Sequence, residues 1–326
     1  MGPVLTNRCV LTDSDWQRLL APLEALKDCT QCPRQCHADR SSNKLGYCRS
    51  GMDFSIGSIC AHRGEEPVIS GPHGICNIFF THCNMQCVYC QNWQISRRDS
   101  IVQDSKLELQ QIIAPIEAIL DQGSKAVGFV SPSHFIPQVR VIIDTLTAIG
   151  RSPVFVYNTS SYDKKDTIAS FEDKIQVYLP DLKYLDNRLA GAYSDTPEYV
   201  EHATAAIKEM FRQKGANIYV DDDGCILFGM IIRHLVIPGQ VENSKAVLRW
   251  IADELSPDVH VSLMSQYHPN PAVAGHPRLG RVLHTDEYAQ VVDEFERLGF
   301  HRGWVQELNS PQNYRPDFNQ DHPFEH

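Results

Sequence analysis

The chain has 326 residues, of which 42% are hydrophobic and 21% are charged, and this composition excludes a disordered or fibrous protein. Its net charge of −10, from 30 basic and 40 acidic residues, argues against a broad electrostatic surface for nucleic acid. No stretch reaches the roughly 18 uninterrupted apolar residues of a membrane span, and the N-terminus lacks the pattern of a secretory signal. We therefore expect a cytoplasmic protein without a membrane partner.

The first predicted element is a helix over residues 12–28, where apolar residues recur at helical spacing behind Thr12 or Asp13 as N-cap. Residues 29–73 are rich in Cys, Gly, Arg and Ser without a sustained period, and this pattern predicts loops. From residue 74 onward short apolar strands alternate with helices. The predicted strands are 75–81, 126–131, 153–159, 175–183, 229–237, 259–267 and 303–308, and the predicted helices are 107–121, 136–149, 163–172, 187–213, 243–254 and 285–298.

Strands that alternate with helices indicate βαβ units, and hence a parallel sheet with right-handed crossovers. Six or seven such units favour an open or incomplete (β/α) barrel, with a doubly wound sheet as the alternative. An Asp-Gly pair within residues 217–228 predicts a small hairpin. We expect three parts: an N-terminal helix with a Cys-rich extension (1–73), the barrel (74–310) and an irregular, polar C-terminal tail (311–326).

The cysteines carry the most specific information in the sequence. Eleven are present, ten of them before residue 91, and only Cys225 follows. Clustered cysteines in an intracellular protein are typical of metal or iron–sulfur ligation, whereas disulfides usually spread through small secreted domains. We therefore expect metal ligation, with Cys9 and Cys225 as free thiols and Cys225 packed in the hairpin.

Cys83, Cys87 and Cys90 follow a C-x3-C-x2-C spacing just beyond the first barrel strand. Three thiolates on one loop can hold three irons of a [4Fe–4S] cluster and leave the fourth iron open to a chelating cofactor. The position is suitable, because barrels of this kind gather their sites at the carboxyl ends of the strands. A zinc site that uses His82 or Cys76 as its fourth ligand is the alternative.

This motif, with Tyr89 just before its last cysteine, resembles the cluster loop of the radical S-adenosylmethionine superfamily. More narrowly, the chain is similar to pyruvate formate-lyase activating enzyme-like proteins from about Cys29 to Phe318. The segments that carry the resemblance are CPRQC (32–36), HRGEEPVISG (62–71), IFFTHCNMQCVYCQN (78–92), FVSPSHF (129–135), VYLPDLKY (177–184) and IIRHLVIPG (231–239).

The resemblance implies a partial (β/α)6 barrel in which S-adenosylmethionine chelates the open iron of a [4Fe–4S] cluster. Reductive cleavage would give a 5′-deoxyadenosyl radical that abstracts hydrogen from a substrate, with electrons from a one-electron reductant such as flavodoxin or ferredoxin. The substrate is either a glycyl-radical enzyme or another molecule, and a metal-rigidified extension folded over the barrel rim would favour a small or flexible one. The alternative of another class is an iron–sulfur electron carrier or regulatory protein without radical chemistry.

The resemblance also assigns individual residues. Asp181 and Lys183 resemble a D-x-K pair near the methionine end of the cofactor, with a surface ion pair as the alternative. Arg233, on an otherwise apolar strand, would take a carboxylate of cofactor or substrate. Tyr89 would pack near the adenine and His268 near the ribose or substrate, unless they are a core aromatic and a loop histidine. With the three cysteines, Lys183 and Arg233 form the predicted catalytic set.

Two further strand ends are implied to contact the cofactor, and each departs from the family pattern. Asn158 and Thr159 match a strand end that helps to hold a monovalent cation, but Asn158 stands where the relatives have Asp. Ser131 and Ser133 lie where most relatives carry a Gly-Gly-Glu turn; they can accept hydrogen bonds from an ammonium group but supply no negative charge.

A second set, Cys29, Cys32, Cys36 and Cys48, follows a C-x2-C-x3-C-x11-C spacing and predicts a second metal site. Zinc and an iron–sulfur cluster are equally open, with Cys60 and Cys76 as substitute ligands and four separate thiols as the alternative. Glu65 and Glu66 could be active-site charges, but surface carboxylates are commoner, and the catalytic set leaves them out.

Overall fold

The computed structural model describes residues 11–42, 44–98, 106–308, 315–320 and 322–324; Cys9 lies outside them. The strands are β1 (Phe54–His62), β2 (Ile75–Phe80), β3 (Lys106–Leu107), β4 (Ala126–Val130), β5 (Val154–Thr159), β6 (Val177–Pro180), β7 (Tyr219–Val220), β8 (Ile226–Leu235), β9 (His260–Met264) and β10 (Gly303–Val305). The α-helices are α1 (Asp13–Leu20), α2 (Pro67–Ser70), α3 (Trp93–Ser96), α4 (Leu109–Asp121), α5 (Ile136–Ala148), α6 (Lys165–Ala169), α7 (Asn187–Ser194), α8 (Tyr199–Lys214), α9 (Val241–Glu254) and α10 (Thr285–Arg297). Short 3-10 helices cover Ala21–Asp28, Arg40–Ser42 and Pro271–Val273.

One sheet organises the described chain, in the order β10–β9–β8–β6–β5–β4–β2–β1–β3. Neighbours from β2 to β10 are parallel, whereas β1 is antiparallel to both β2 and β3. All seven predicted strands are present in this parallel part. Because the order has two ends, the sheet of the described residues is open, and the predicted α/β fold with an incomplete barrel is confirmed.

Alternation along the parallel strands separates two apolar layers. One layer faces the long helices and contains most of the core. The other lines the inner face of the sheet, and α2 contributes Ile69 to it, so that this short helix packs beneath the strands. The buried members of the inner layer are Ile69, Ile75, Ala126, Val156, Val177, Leu179, Ile226 and Ile231.

The prediction that residues 29–73 are loops is wrong for 54–62, which form the nine-residue strand β1. Gly57, Ser58 and Cys60 give this strand little intrinsic β-propensity. Its conformation instead comes from pairing with β2, from Ile56 opposite Phe80 to His62 opposite Ile75. The sheet therefore continues across residue 73.

Two predicted helices are divided. Residues 187–213 form α7 and α8 rather than one helix, because Asp195 adopts a left-handed φ of 52° and Pro197 cannot continue a helix. The predicted helix over 12–28 is α-helical only to Leu20, and Pro22 lies at the start of the 3-10 helix that follows.

The hairpin and the described part of the C-terminal tail both pack on the sheet. The hairpin is confirmed as β7 paired with β8, with Cys225 buried at its turn. In the tail, the rings of Phe318 and Phe324 each lie 5.4 Å from Phe79 on the inner face of β2. Within the described residues, none of the helices has the length and apolarity required to cross a membrane.

Candidate active site

The cluster loop, residues 83–90, follows β2 at the carboxyl edge of the parallel strands. On one side the N–H of Val88 donates to the carbonyl of Tyr193 at 2.9 Å. On the other side Nδ2 of Asn270 donates to the carbonyls of Val88 and Cys90 at 3.0 and 3.1 Å. The loop is thus held between α7 and the segment that follows β9.

Each thiol of the cluster loop receives a hydrogen-bond donor. The contacts are the N–H of Met85 on Sγ of Cys83 at 3.3 Å, Oγ of Ser194 on Sγ of Cys87 at 2.8 Å and Oγ of Ser96 on Sγ of Cys90 at 3.2 Å. Burial raises the pKa of all three thiols, that of Cys87 to about 11. Iron that binds the sulfur would replace the proton, and the donors would then stabilise the thiolate. These residues therefore fit a cluster.

No three His, Cys, Asp or Glu side chains among the described residues converge as ligands of one metal ion. A four-iron cluster takes each of its thiolates at a different iron, so its ligands need not meet at one point.

Asp181 and Lys183, just beyond β6, face the cluster loop. Nζ of Lys183 lies 2.5 Å from Oδ2 of Asp181, and its charge lowers the pKa of the Cys87 thiol against the effect of burial. Burial opposes the charged form of Lys183, but the Asp181 carboxylate, together with Cys87 and Cys90, outweighs it, and the pKa of Lys183 is raised. A cation and an anion thus lie side by side next to the thiols.

Arg233 on β8 is buried, but its anionic partners belong to the protein. Its guanidinium binds both Glu65 and Glu66, with Nε 2.9 Å from Oε1 of Glu66. The side chains of Glu65 and Glu66 are only 9% and 6% exposed, so their assignment as surface carboxylates is wrong. The sequence correctly indicates that Arg233 needs an anion, and an intramolecular pair supplies it.

Glu65 is held from two further sides. Nδ2 of Asn77 on β2 donates to its Oε1 at 2.8 Å, and the ring of His62 lies 3.2 Å away. Burial favours the neutral carboxyl, but the Arg233 guanidinium and the His62 ring together outweigh it and hold the pKa of Glu65 well below its usual range. The Glu65–Arg233 ion pair, extended by Asn77, therefore spans the inner face of the sheet from β2 to β8.

A cavity of about 230 Å³ adjoins this ion pair. Its wall includes Glu65, Glu66 and Arg233 together with Ser262 and Gln266 from β9 and the segment after it. The carbonyl of Gln266 accepts from Nε2 of Gln91 at 3.1 Å, directly after the last cluster-loop cysteine. The cavity and the cluster loop are thus neighbours.

Tyr89 and His268, which were both predicted to contact the cofactor, lie in different surroundings. Tyr89 is buried against Tyr193 and Tyr267, and its hydroxyl contacts that of Tyr184 at 2.5 Å. His268 instead lines a larger cavity of about 460 Å³, where its Nδ1 lies 3.0 Å from Nη2 of Arg315.

Ser133 and Thr159 are not directed to the inner face. Their hydroxyls lie 3.2 Å apart, and Thr159 donates to the buried carboxylate of Asp163 at 2.5 Å. Asn158 precedes Thr159 on β5 and so points to the opposite, inner face. Ser131, with a left-handed φ of 52°, donates its N–H to the carbonyl of Asn158 at 2.8 Å.

The four N-terminal cysteines lie in a compact segment with two tight turns. Cys29, Cys32 and Cys48 are buried, Cys36 is exposed, and all four are free thiols. Burial raises the pKa of Cys32 to about 12. A Cβ on Gly46 would lie 2.4 Å from Sγ of Cys36 and 3.2 Å from Cβ of Ala38, so the chain around Cys36 approaches the backbone of Gly46 closely.

The extension packs on the loops that follow the parallel strands. Arg34 donates through Nε to the carbonyl of Asn84 after β2 at 3.1 Å, and Nζ of Lys164 after β5 donates to the carbonyl of Thr30 at 3.1 Å. The hydroxyl of Tyr47 donates to Asp195 after α7 at 2.5 Å. The extension therefore covers part of the carboxyl edge of the sheet.

Sequence analysis missed Glu65 and Glu66 as partners of Arg233, and it did not single out Arg40 or Asn84. A doubled Glu directly before Pro67, within a segment shared with the family it resembles, was the available signal for the first two. For Arg40 and Asn84 the signal is burial, which a single sequence does not display.

No protein-family model matches the chain. Among curated proteins it is 26% identical over 275 residues to the uncharacterized protein MJ0674 of Methanocaldococcus jannaschii, an alignment that covers 83% of this chain and 75% of the relative. That relative carries no stated activity to compare.

Among solved structures the chain is similar to a domain of a pyruvate-formate lyase-activating enzyme from Bacteroides vulgatus, with 17% identity and a TM-score of 0.36 over 53% of this chain and 93% of that one. It is also similar to Streptococcus suis SuiB bound to precursor peptide SuiA (13%, TM-score 0.44, 71% of this chain) and to HydG, a maturase of the [FeFe]-hydrogenase (12%, TM-score 0.45, 67% of this chain). The chain spans 48% of each of the latter two.

Proposed function

We propose that this chain is a radical S-adenosylmethionine enzyme whose [4Fe–4S] cluster is held by Cys83, Cys87 and Cys90. The observation that carries the proposal is the arrangement of three donor-supported thiols on one loop at the carboxyl edge of the sheet, faced by the Asp181–Lys183 pair. When bound, the cluster and cofactor supply reductive cleavage to a 5′-deoxyadenosyl radical, which abstracts hydrogen from the substrate.

The residues of the chain perform the binding and positioning. The Lys183 ammonium and the Asp181 carboxylate complement the carboxylate and amino groups of the methionine end of S-adenosylmethionine. Ser96 and Ser194 donate to the sulfurs of Cys90 and Cys87 and would stabilise them as thiolates once iron has replaced the proton. Tyr89 fixes the loop through its buried ring and its hydroxyl contact with Tyr184.

We further propose that the substrate is small or flexible rather than the glycine loop of a large enzyme. The extension lies against the loops after β2, β5 and α7, and it narrows the approach to the cluster loop. Activation of a glycyl-radical enzyme is the second candidate, favoured by the sequence segments that resemble activating enzymes. Electrons come from a low-potential one-electron donor such as flavodoxin or ferredoxin.

The test is electron paramagnetic resonance of the anaerobically reconstituted, dithionite-reduced protein with and without S-adenosylmethionine. We expect a cluster signal that the cofactor perturbs, together with release of 5′-deoxyadenosine. Both are lost in Cys87→Ala and retained in Cys225→Ala, which removes a buried thiol from the distant hairpin. A cluster signal that S-adenosylmethionine leaves unchanged, without 5′-deoxyadenosine, would favour an electron carrier instead.

Candidate glycyl-radical enzymes are then added to the reduced protein with S-adenosylmethionine. A glycyl-radical doublet at useful yield in any of them would replace our preferred substrate class by the second candidate, and its absence from all of them supports our preference.

A further inference from the structure

The cavity of about 230 Å³ beside Arg233 has an excess of negative charge in its wall. Its charged lining residues in the described part of the chain are Glu65, Glu66 and Arg233, so two carboxylates face one guanidinium. A guanidinium is always charged, and glutamate is ordinarily ionised at pH 7. A buried charge without a counter-charge is costly, and the wall therefore favours a ligand that brings one positive charge.

Glu66 retains acceptor capacity that the fold does not use. A carboxylate offers about four acceptor sites, but within the described residues Glu66 accepts side-chain hydrogen bonds only from Nε and Nη2 of Arg233. Glu66 is also the N-cap residue of α2, yet its side chain makes no capping hydrogen bond to that helix. The carboxylate is thus turned towards Arg233 and the cavity instead of its own helix.

Two neutral polar groups line the same cavity without a partner. Ser262 on β9 is 3% exposed, and its register partners are Arg233 on β8 and Trp304 on β10. Among the described residues its hydroxyl has no hydrogen-bond partner, although it lines the cavity. Nε2 of Gln266 is likewise unpaired there, whereas its Oε1 accepts from Gln306 at 2.9 Å. Buried polar groups are nearly always hydrogen-bonded, so both groups indicate a polar ligand.

The His62 ring contacts Glu65 but does not line the cavity. Its Nδ1 lies 3.2 Å from Oε1 of Glu65, and its ring centroid lies 4.1 Å from that of Phe324. A neutral imidazole with its proton on Nδ1 suffices to donate this hydrogen bond, and it adds no charge. In the described ranges, His62, Glu65 and Glu66 do not converge as ligands of one metal ion. The excess charge therefore suits an organic cation better than a metal.

We infer that this cavity binds the protonated amine of a small substrate, with the ammonium group at Glu65 and Glu66 and a neighbouring acceptor of the substrate at Ser262 and Gln266. The inference rests on the proposed function and names its substrate class. A primary ammonium has three donors, which match the unused acceptor sites of the two carboxylates. The cofactor has its own partners in Asp181 and Lys183 under that proposal.

The size and position of the cavity agree with such a substrate. Pockets for drug-sized ligands measure roughly 300–1,000 Å³, so a cavity of about 230 Å³ takes a more compact group. The carbonyl of Gln266 binds Gln91 directly after the cluster loop. A substrate whose acceptor group is held at Gln266 therefore lies on the side of the cavity that adjoins the cluster loop.

The first experiment compares two probes of nearly equal size, glycinamide and glycolamide, which differ in an ammonium or a hydroxyl group beside the same amide. Each is titrated at pH 7 into the full, anaerobically reconstituted chain saturated with S-adenosylmethionine. By calorimetry we expect glycinamide to bind at least about tenfold more tightly, because hydrogen bonds between charged groups are the stronger ones. Equal affinities, no binding of either probe, or binding of glycinamide only without S-adenosylmethionine would overturn the inference.

Glu66→Gln tests the charge, with Glu294→Gln as the matched control. The Glu294 side chain is also buried and binds two arginines, Arg249 and Arg297, but it lies on the outer helix α10. We expect Glu66→Gln to raise the Kd of glycinamide by at least about tenfold and to leave that of glycolamide unchanged. Glu294→Gln should change neither. A folded Glu66→Gln chain that still prefers glycinamide contradicts the inference.

Ser262→Ala keeps the inference testable if Glu66→Gln does not fold, as judged by its melting curve. It removes the hydroxyl proposed to bind the amide that both probes share, so both should bind more weakly by the same factor. Unchanged affinities would contradict the proposed binding mode.

Competition by salt distinguishes an amine from a metal cation. Potassium chloride should displace glycinamide no better than choline chloride at equal ionic strength, and selective displacement by potassium would overturn the inference. Failure of the proposed function has a different result. The unmodified chain would then bind glycinamide in preference to glycolamide but would release no 5′-deoxyadenosine after reduction with S-adenosylmethionine present.

Discussion

Arg40 and Arg233 are both buried in this protein, at 2% and 7% exposure, but they meet opposite electrostatic surroundings. Arg233 binds two glutamates on the inner face of the sheet. Arg40 has two carbonyls and a thiol within reach and, in the part of the chain that the structure describes, no carboxylate. The described residues therefore supply carboxylates to Arg233, whereas they supply only neutral groups to Arg40.

This difference reverses the expectation from sequence. Arg233 stands out in the sequence because it interrupts an apolar strand, but its anionic partners, Glu65 and Glu66, belong to the same chain. Arg40 lies in a segment without periodicity, where a charged residue is ordinary, yet the described residues place no carboxylate beside it. For a buried arginine, the groups that contact it in the folded chain are thus more informative than the apolar pattern of the strand around it.

The largest effect is expected for Glu66→Ala, which takes two of the three carboxylate contacts from Arg233. Breaking a buried ion pair leaves the remaining charge poorly compensated, so we expect a loss of about 3 kcal/mol in the free energy of unfolding. Urea titration measures it. Glu242→Ala, which breaks an exposed pair with Lys245, is the control and should cost less than about 1 kcal/mol. Equal costs would show that the Arg233 pair is not the stronger one.

Glu65→Gln should cost less, about 2 kcal/mol, since Glu66 still faces the guanidinium. Its effect depends on pH. The folded state lowers the pKa of Glu65, so the carboxylate contributes stability above its unfolded pKa, and this contribution declines as the pH falls towards the lower folded value. We expect the stability difference between the two proteins to be full at pH 7 and to shrink below about pH 4.3. A difference that grows on acidification would reverse our assignment.

Asn77→Ala removes the amide that donates to Oε1 of Glu65 at 2.8 Å. Because Glu65 keeps Arg233 and His62, we expect a loss of about 1 kcal/mol in the free energy of unfolding. Asn77→Asp sharpens the test, since it places a like charge against the carboxylate and should cost more than Ala. If Asp were tolerated better than Ala, Glu65 would have to be neutral.

Arg40→Met should change the stability of the metal-free protein by less than about 1 kcal/mol, because the lost hydrogen bonds and the removed unpaired charge offset each other. If reconstitution loads the predicted second metal site at Cys29, Cys32, Cys36 and Cys48, Arg40 then lies beside an anionic group, and the reconstituted protein should behave differently. We expect the unmodified chain to gain more in melting temperature from reconstitution than Arg40→Met does, with Arg40→Lys in between. Identical gains in melting temperature in the unmodified chain, Arg40→Met and Arg40→Lys would contradict a metal site beside Arg40.

The sequence predicts the parallel part of the sheet well, because each of the seven strands is a short apolar run whose local pattern suffices. β1 is not predictable in this way, because Gly57 and Ser58 have low strand propensity and form a strand only where β2 supplies the hydrogen-bond partners. The cluster loop is visible because its cysteines lie within eight residues. The pair of Glu66 with Arg233 joins positions 167 residues apart, and no local pattern encodes that contact.

The C-terminal tail is synthesised last, and this order affects when the inner face of the sheet becomes covered. Phe318 and Phe324 follow every strand along the chain, but they cover Phe79 on β2, one of the first strands to be made. While the ribosome is still producing the rest of the sheet, the inner face beside the cluster loop is therefore uncovered. The tail is thus the last part of the described chain that can pack on β2, and the cluster that we propose would find a more open inner face before this packing than after it.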